Sequence, residues 1–372
     1  MRGFGLMSLQ IQRNLDITRF GTMGTPARAA FVVFASELHE LREAIAFAHQ
    51  HALPWFTLGG GSNLILPEQF EGLVVRVALR GVSIVEQDAQ TVLLDVAAGE
   101  NWHDLVRRSL GMGLSGLEAM ALIPGTVGAA PVQNIGAYGG ELSDVVERVD
   151  VLLTESSVLQ TLAGDACGFS YRDSSFKAAG EARLITSVQL RLRRQSAPRA
   201  KYPEVQTELQ RMGVAEPNAI QYAEAVIAVR RRKLPDPRQH GNVGSFFKNP
   251  VLDGNQAEAL FERNPDLRGL ARRQATAEAF AGEHGASSAA THYKLPAAAL
   301  IERAGWKGRV DGRVEAWRRQ PLVLVNRGGA SRVDVLATAS RIADDVRSQF
   351  AVQLQAEPRL TFPGEAEVRL SN

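Results

Sequence analysis

Three short segments carry side chains whose chemistry could serve a reaction. The run YRDSSF places Arg172 beside Asp173 between predicted strands, where an arginine could hold a carboxylate through two hydrogen bonds or simply pair with a neighbouring acid. The run GNVGSFFKNP puts Ser245 between glycines and two aromatic residues, so a substrate could approach its hydroxyl in a water-poor setting. Glu357 lies in the last predicted strand, where alone it would be a surface acid. No histidine follows Ser245 at a hydrolase spacing, so a serine–histidine triad is not predicted.

Two glycine-rich stretches could bind a phosphate-bearing ligand. The first, GGGSN from Gly59, directly follows a predicted strand at residues 55–58 and is either a phosphate-binding loop or a tight turn. The second, PGTVGAAPVQNIGAYGG from Pro124, is too apolar for an exposed loop and too rich in glycine for a helix. We expect it to line a flat, bulky group. Because both stretches lack positive charge, backbone dipoles would have to bind a diphosphate, and the pair suits a dinucleotide with a ring.

A further glycine pattern, G-x-G-x-x-G at Gly111, Gly113 and Gly116, has the form of a dinucleotide fingerprint. That fingerprint must follow a strand, whereas residues 104–110 have a helical pattern that Asn101 can cap. We therefore predict a helix that ends at Gly111, followed by a turn, and no nucleotide loop there.

The composition is typical of a globular protein with two or three domains. The chain has 372 residues, of which 45% are hydrophobic and 22% charged. The net charge of +2, with basic residues scattered among acids, argues against a nucleic-acid partner. The single cysteine, Cys167, suits a reducing compartment, and no segment is apolar enough for a signal peptide or a membrane span. We expect a cytoplasmic protein with no metal site, no membrane contact and no obligate protein partner.

Alternating strands and helices must position these residues. Helices are predicted after Ser36, at residues 218–232 and after the capping box of Ser331 and Asp334. The segment 265–290 lacks apolar periodicity and is interpreted as a mobile or partly helical insertion. A final strand is predicted from residue 351. The other strands are predicted from their β-rich runs, which begin at Leu73, Val82, Thr91, Val149 and Arg183.

Six blocks together resemble the UDP-N-acetylenolpyruvoylglucosamine reductase family: GGGSN at 59, PGTVGAAPVQNIGAYGGEL at 124, YRDSSFK at 171, KLPDP at 233, GSFFKNP at 244 and AEPRL at 356. They follow the family's order over about residues 20–362. The resemblance implies an α+β fold, with a two-lobed FAD-binding domain of the vanillyl-alcohol-oxidase (PCMH) type and a separate α+β substrate-binding domain. We expect the lobes at residues 1–80 and 81–215, the substrate domain at 216–350, and a segment at 351–372 that returns to the FAD domain and the active site.

The resemblance also implies which residues form the site. Arg172, Ser245 and Glu357 would be catalytic. The substrate would be bound by Tyr202, Lys233, Asn249 and Gln320, and Tyr202 resembles the tyrosine-loop subtype that closes over the UDP group. FAD would be bound by Gly59, Gly60, Gly61, Ser62, Asn63, Pro124, Gly125, Thr126, Gly128, Ala129, Ile135, Gly136 and Ala137.

The resemblance further implies a reaction in peptidoglycan precursor synthesis. NADPH would reduce FAD, which would pass hydride to the enolpyruvyl β-carbon of UDP-N-acetylglucosamine enolpyruvate and so give UDP-N-acetylmuramate. Arg172 and Glu357 would stabilise the charge that builds on the carboxylate, and Ser245 would protonate the α-carbon. Two alternatives remain open: a flavin oxidoreductase of the same fold that acts on an alcohol or hydroxy acid, and a non-catalytic nucleotide-sugar-binding protein.

Overall fold

The computed structural model describes residues 9–194, 197–198, 202–274 and 291–370. None of the helices in these ranges is long and apolar enough to cross a membrane. The helices are α1 (Leu38–Gln50), α2 (Trp102–Gly111), α3 (Ser175–Ala179), α4 (Pro203–Arg211), α5 (Ala219–Lys233), α6 (Gly254–Arg263), α7 (Pro265–Arg268), α8 (Ala297–Arg303) and α9 (Arg332–Phe350).

A four-stranded sheet forms the N-terminal part. Its order is β1-β2-β4-β3, with β1 antiparallel to β2 and the other pairs parallel. Helix α1 connects β2 to β3 and buries Leu41, Ala44, Ile45 and Ala48, which share one helix face, against the sheet. The first glycine stretch begins at Gly59, immediately after the carboxyl end of β3. The strands are β1 (Ile11–Asp16), β2 (Arg28–Ala35), β3 (Trp55–Leu58) and β4 (Gln69–Val77).

An antiparallel sheet follows, with the order β11-β10-β12-β6-β5 and with β7 paired to the end of β12. Along β12, Val188, Leu190 and Leu192 are fully buried and alternate with more accessible residues, as expected for a sheet that covers a core with one face. Its strands are β5 (Val82–Gln87), β6 (Thr91–Ala97), β7 (Leu114–Ser115), β10 (Val146–Leu153), β11 (Leu159–Ala163) and β12 (Arg183–Arg194); the short hairpin of β8 (Gly136–Ala137) and β9 (Gly140–Glu141) lies within the second glycine stretch.

The C-terminal half combines two small sheets with helices α6 to α9. The first has the order β13-β15-β14 and the second β16-β17-β18. Helix α9 contributes an apolar face that includes Val335, Ile342, Val346 and Phe350 to the core of this half. The strands are β13 (Val251–Asp253), β14 (Arg272–Gln274), β15 (His292–Lys294), β16 (Val310–Asp311), β17 (Val314–Ala316) and β18 (Leu324–Asn326).

Most buried apolar residues of the described chain belong to one of two large cores. The first includes buried residues from β2 to α5, with Val226 as its last member. The second includes residues from Val243 to Leu370, together with Met23 and Ile65 from the N-terminal part. Helix α5 thus packs with the first core. Apart from Met23 and Ile65, the buried residues of the second core all follow α5 in the chain.

Most predicted elements are present with small shifts. Asn101 and Ser331 cap α2 and α9 as predicted, and α5 begins where a helix was predicted, directly after its cap Asn218. Each cap accepts a hydrogen bond from the backbone N–H three residues on. Helix α1 begins after Glu37 rather than Ser36, because Glu37 forms a capping box with Glu40. Helix α2 runs to Gly111, which confirms that the G-x-G-x-x-G pattern follows a helix and not a strand.

The prediction of a continuous strand from residue 351 was wrong. This segment forms single bridges, Ala356 with Phe247 and Arg359 with Leu64. It changes partner around Pro358, which has no N–H to offer a neighbouring strand. In the predicted insertion, α7 and β14 occupy the beginning, and residues 275–290 lie outside the described chain.

Candidate active site

The two predicted glycine loops contact one another. The Ser62 hydroxyl donates a hydrogen bond to the Pro124 carbonyl (3.1 Å). A Cβ at Gly60 would lie 2.5 Å from Gly125 Cα, so a larger residue would force the loops apart. Within the described chain, no acceptor takes the backbone N–H groups of residues 60–63, which leaves them free to bind an anion.

A cavity of about 600 Å³ extends from these loops to the C-terminal half. Apolar walls are provided by Trp102, Phe176 and Ile185, which suit a flat ring. Ala137 is not among the described residues that line it. All other predicted cofactor positions line it: Gly59, Gly60, Gly61, Ser62, Asn63, Pro124, Gly125, Thr126, Gly128, Ala129, Ile135 and Gly136.

The three residues predicted to be catalytic line this same cavity. Arg172 Nε donates to Glu357 Oε1 at 3.0 Å, and its Nη2 donates to the Gly136 carbonyl at 2.6 Å. Arg172 has a φ of 56°, in the left-handed region that a non-glycine residue adopts only when the surrounding structure holds it there. Ser245 follows Gly244, whose φ is 73°. Residues far apart in the sequence therefore line the same cavity.

Glu357 is fixed through its backbone from three directions. Its N–H donates to the Phe246 carbonyl at 2.8 Å, which ties it to the segment that carries Ser245. Its carbonyl accepts hydrogen bonds from the side chains of Gln133 (2.9 Å) and Asn63 (3.5 Å), one from each glycine loop. The carboxyl group therefore has a defined position relative to all other parts of the site.

Burial raises the pKa of Glu357, although the charges of Arg172, Lys248 and Lys177 oppose this effect. The Arg172–Glu357 contact is geometrically an ion pair, yet the cost of burying the carboxylate outweighs the attraction, so the pKa of Glu357 is raised rather than lowered. A protonated carboxyl can donate a hydrogen bond, and an adjacent arginine can hold a negative charge. This combination suits a reaction in which charge develops on a bound carboxylate.

The four predicted substrate-contact residues are not among the residues that line the cavity. Lys233 pairs with Glu204 (Nζ to Oε1, 2.5 Å), and Asn249 Oδ1 accepts the Ala297 N–H at the start of α8 (2.9 Å). The ring of Tyr202 meets that of Tyr138 edge to face, with centroids 5.3 Å apart. Gln320 lies in the turn between β17 and β18. Their roles toward a substrate remain predictions.

Several cations at the site were not assigned from sequence. Lys177 and Lys248 lie inside the motifs that carry Arg172 and Ser245, and Lys177 donates to the Arg172 carbonyl at 3.4 Å. Burial lowers the pKa of Lys177, and the nearby charge of Lys248 lowers it further. Arg76 donates to the Gly59 carbonyl and so supports the first glycine loop. The motif membership of Lys177 and Lys248 was a usable signal.

Lys294 in β15 reaches across from the C-terminal half to Tyr171. Its Nζ lies 2.9 Å from the centre of the Tyr171 ring. Burial, followed by the charge of Arg172, lowers the pKa of Lys294 to about 8. No sequence pattern marked this residue, because its three-residue strand carries no periodicity.

Cys167 is buried, and its thiol contacts the Ala163 carbonyl (3.3 Å). Burial raises the pKa of this thiol to about 11, which makes it a poor nucleophile near neutral pH. The described residues contain no cluster of His, Cys, Asp and Glu that could hold a metal ion.

The cavity fits FAD. Free backbone N–H groups at residues 60–63 can bind the diphosphate, and the apolar walls can hold the ring. A family model described as an FAD binding domain matches residues 29–162. Fold and site together define an FAD-binding oxidoreductase of the vanillyl-alcohol-oxidase (PCMH) type with an additional C-terminal domain, as predicted.

A second family model, the UDP-N-acetylenolpyruvoylglucosamine reductase C-terminal domain, matches residues 236–361. A UDP-N-acetylenolpyruvoylglucosamine reductase of Pseudomonas aeruginosa is 44% identical, over 95% of this chain and 100% of its own length. One from Paraburkholderia xenovorans is also 44% identical, over 91% of this chain and 94% of its own. The chain belongs to the UDP-N-acetylenolpyruvoylglucosamine reductase family.

A solved structure supports the fold over nearly the whole length. The crystal structure of the reductase from Thermus caldophilus matches with a TM-score of 0.64, over 95% of this chain and 99% of that one, at 22% sequence identity.

Proposed function

We propose that this protein catalyses the NADPH-dependent reduction of UDP-N-acetylglucosamine enolpyruvate to UDP-N-acetylmuramate, a step in peptidoglycan precursor synthesis. The observation that carries the proposal is that Arg172, Ser245 and Glu357 line the cavity that the glycine loops line, with Arg172 hydrogen-bonded to Glu357. Bound FAD supplies two-electron transfer between NADPH and the substrate. Relatives with 44% identity bear the name of this activity.

The chain's own residues account for the charge and proton steps. Arg172 opposes the negative charge that develops on the substrate carboxylate, because its guanidinium is already held by the Gly136 carbonyl and Glu357. Glu357 in its protonated form donates a hydrogen bond to the same carboxylate. Ser245 gives its proton to the α-carbon. Because a serine hydroxyl is a weak acid, this last role requires a strongly basic carbon or a proton relay.

Outside the cavity, the substrate is bound by Tyr202, Lys233, Asn249 and Gln320, of which Tyr202 closes over the UDP group. Lys233 can exchange Glu204 for a phosphate without moving a buried charge into an apolar region, since both partners are partly exposed. The ring of Tyr202 packs edge to face against that of Tyr138, which belongs to the second glycine stretch.

The domain division follows the same proposal. The sequence predicts FAD-binding lobes at residues 1–80 and 81–215, a substrate domain at 216–350 and a segment at 351–372 that returns to the site. Because buried residues of α5 pack with the first core, we propose the end of α5, rather than residue 216, as the boundary between the second lobe and the substrate domain. We place the reaction in the cytoplasm, where NADPH and nucleotide sugars are supplied.

The test is the reaction itself. The purified protein should be yellow from bound FAD, and under anaerobic conditions NADPH should bleach it. Adding UDP-N-acetylglucosamine enolpyruvate should then restore the colour. Restoration by a ketoacid instead, or bleaching of the oxidised protein by an alcohol or hydroxy acid, would favour another flavin oxidoreductase. A colourless protein that binds the nucleotide sugar would favour a non-catalytic role.

A further inference from the structure

The turn that leads into the second glycine stretch has an unfavourable backbone conformation. The Ile123 N–H donates to the Met120 carbonyl (3.3 Å), and between them Ala121 has a φ of −57° and a ψ of 143°. The next residue, Leu122, has a φ of 62°. These angles define a type II turn, whose third residue is usually glycine because its φ is positive. A leucine at this position is strained, so a contact outside the turn must hold it there.

That contact is with the imidazole of His103, at the start of helix α2. The Leu122 N–H donates a hydrogen bond to His103 Nδ1 at 3.0 Å. Type I and type II turns differ by rotation of the peptide group between their two central residues, and this is the group that carries the Leu122 N–H. His103 therefore stabilises the orientation of the peptide that gives Leu122 its positive φ.

The hydrogen bond requires a neutral imidazole. A backbone N–H can donate only to a ring nitrogen that carries no proton, so the proton of His103 must lie on Nε2. Protonation of Nδ1 would set two N–H groups against each other. Rotation of the peptide would relieve that repulsion, because it offers the Ala121 carbonyl to the new Nδ1–H and removes the strain at Leu122. The turn therefore has two arrangements, and the charge on His103 selects between them.

The surroundings of His103 favour the neutral ring. Burial lowers its pKa from the ordinary value of 6.5. On α2 itself, Asp104 opposes this effect and Arg107 adds to it, and two cations that act on the ring from α5, Arg231 and Arg230, lower the pKa further. The ring is therefore neutral near neutral pH and takes up a proton only under acidic conditions.

The turn lies directly before the cofactor loop. Ile123 and Pro124 line the cavity. Trp102 ties both ends of the turn to α2, because its indole N–H donates to the Met120 carbonyl and its backbone N–H to the Gly125 carbonyl, each at 3.1 Å. With both ends fixed, rotation of the central peptide must be absorbed by the residues between them, and these include the two that line the cavity.

We propose that His103 is a positioning residue for FAD, whose neutral imidazole holds the Leu122 peptide and, through it, the cavity-lining part of the second glycine stretch. Protonation of His103 releases the turn and weakens the binding of FAD. The proposal rests on FAD binding in this cavity and needs no UDP-linked substrate.

The first test measures the dissociation constant of FAD for the unaltered protein from about pH 8 to about pH 5, by ultrafiltration of the holoenzyme. Because the FAD-binding form of the turn holds a proton on His103 less tightly, FAD binding should weaken as pH falls below 6.5. A difference of one unit between the pKa of His103 in the two arrangements raises the dissociation constant by about tenfold once the pH is below both values.

Three variants show whether His103 is the responsible group. In His103→Asn the side-chain Oδ1 takes the place of Nδ1 and accepts at every pH, so FAD binding should match the unaltered protein at the alkaline end and lose its pH dependence. His103→Leu leaves the Leu122 N–H without an acceptor and should bind FAD about tenfold more weakly already at the alkaline end. His49→Asn changes an exposed histidine on α1 and should leave the pH dependence as it is.

Two results would overturn the proposal: an asparagine variant that loses FAD as steeply on acidification as the unaltered protein, or a leucine variant that binds FAD as tightly at the alkaline end. If either variant fails to fold, the unaltered holoenzyme decides. With isotope labelling, the Leu122 amide nitrogen and His103 Nδ1 should show a scalar coupling through their hydrogen bond, and it should disappear over the pH range in which FAD is lost. Absence of this coupling, or loss of FAD while the coupling persists, also overturns the proposal.

Discussion

Arg172 offers the sharpest test of the proposed chemistry, through the replacements Arg172→Met and Arg172→Lys. Its guanidinium contacts Glu357 at 3.0 Å and the Gly136 carbonyl at 2.6 Å, and the side chain is 20% exposed. Methionine keeps much of the volume but removes the charge. Loss of a preorganised group that stabilises developing charge costs roughly 2.7–4 kcal/mol, or about 10²–10³ in rate.

Lysine restores the charge but cannot reproduce the two-sided fork of the guanidinium. We therefore expect Arg172→Lys to lose one charge-assisted hydrogen bond, worth about 1.5–3 kcal/mol, and to fall between the methionine variant and the unaltered protein. Both losses should be confined to the step in which reduced enzyme reacts with UDP-N-acetylglucosamine enolpyruvate.

The assay is anaerobic stopped-flow absorbance of the flavin, which follows reduction by NADPH and reoxidation by the substrate separately. Arg191→Met is a matched control, because Arg191 also pairs with a glutamate at 2.9 Å but lies on the antiparallel sheet away from the cavity. If NADPH reacts as slowly as the substrate does in Arg172→Met, or if lysine is no better than methionine, the proposed role of Arg172 is wrong.

Three other perturbations address the remaining parts of the site. Ser245→Ala should leave flavin reduction by NADPH intact and slow substrate reduction by about 10²–10⁴, the range for loss of a proton donor, whereas equal loss in both half-reactions would argue against that role. Gly60→Ala should lower the FAD content of the purified protein, because its Cβ would lie 2.5 Å from Gly125 Cα, while Gly111→Ala, whose Cβ meets nothing within 4 Å, should not. Because the pKa of Glu357 is raised above 4.5, the folded state binds its proton more tightly than the unfolded chain, so its stabilising contribution is present at low pH and is lost as pH rises through the raised pKa. Glu357→Gln should flatten that decline in urea unfolding free energies measured from about pH 4 to pH 8, and a decline as steep as in the unaltered protein would show that another group is responsible.

Local patterns predicted the framework of the site well, because helix caps and strand periodicity depend on neighbours in sequence. Asn101 caps α2 as predicted, α5 lies close to the predicted helix range of 218–232, and the strand before Gly59 is present. The motif blocks also placed Arg172 and Ser245 in segments that prove to line one cavity. The pairing of Arg172 with Glu357 could not be read from spacing alone.

What sequence reasoning missed depends on distant partners. The pairing of Lys233 with Glu204 on the preceding helix could not be read from the sequence. Lys294 is brought to Tyr171 only by the packing of β15 beside the site.

The hydrogen bond between Arg172 and Glu357 joins residues 185 positions apart. During synthesis at about 5–20 residues per second, the glutamate emerges roughly 10–40 s after the arginine. The glycine loops and the antiparallel sheet are complete on the nascent chain well before that moment. Cofactor loading and competence to react can therefore be separate stages in the maturation of a single molecule, with the acid arriving last.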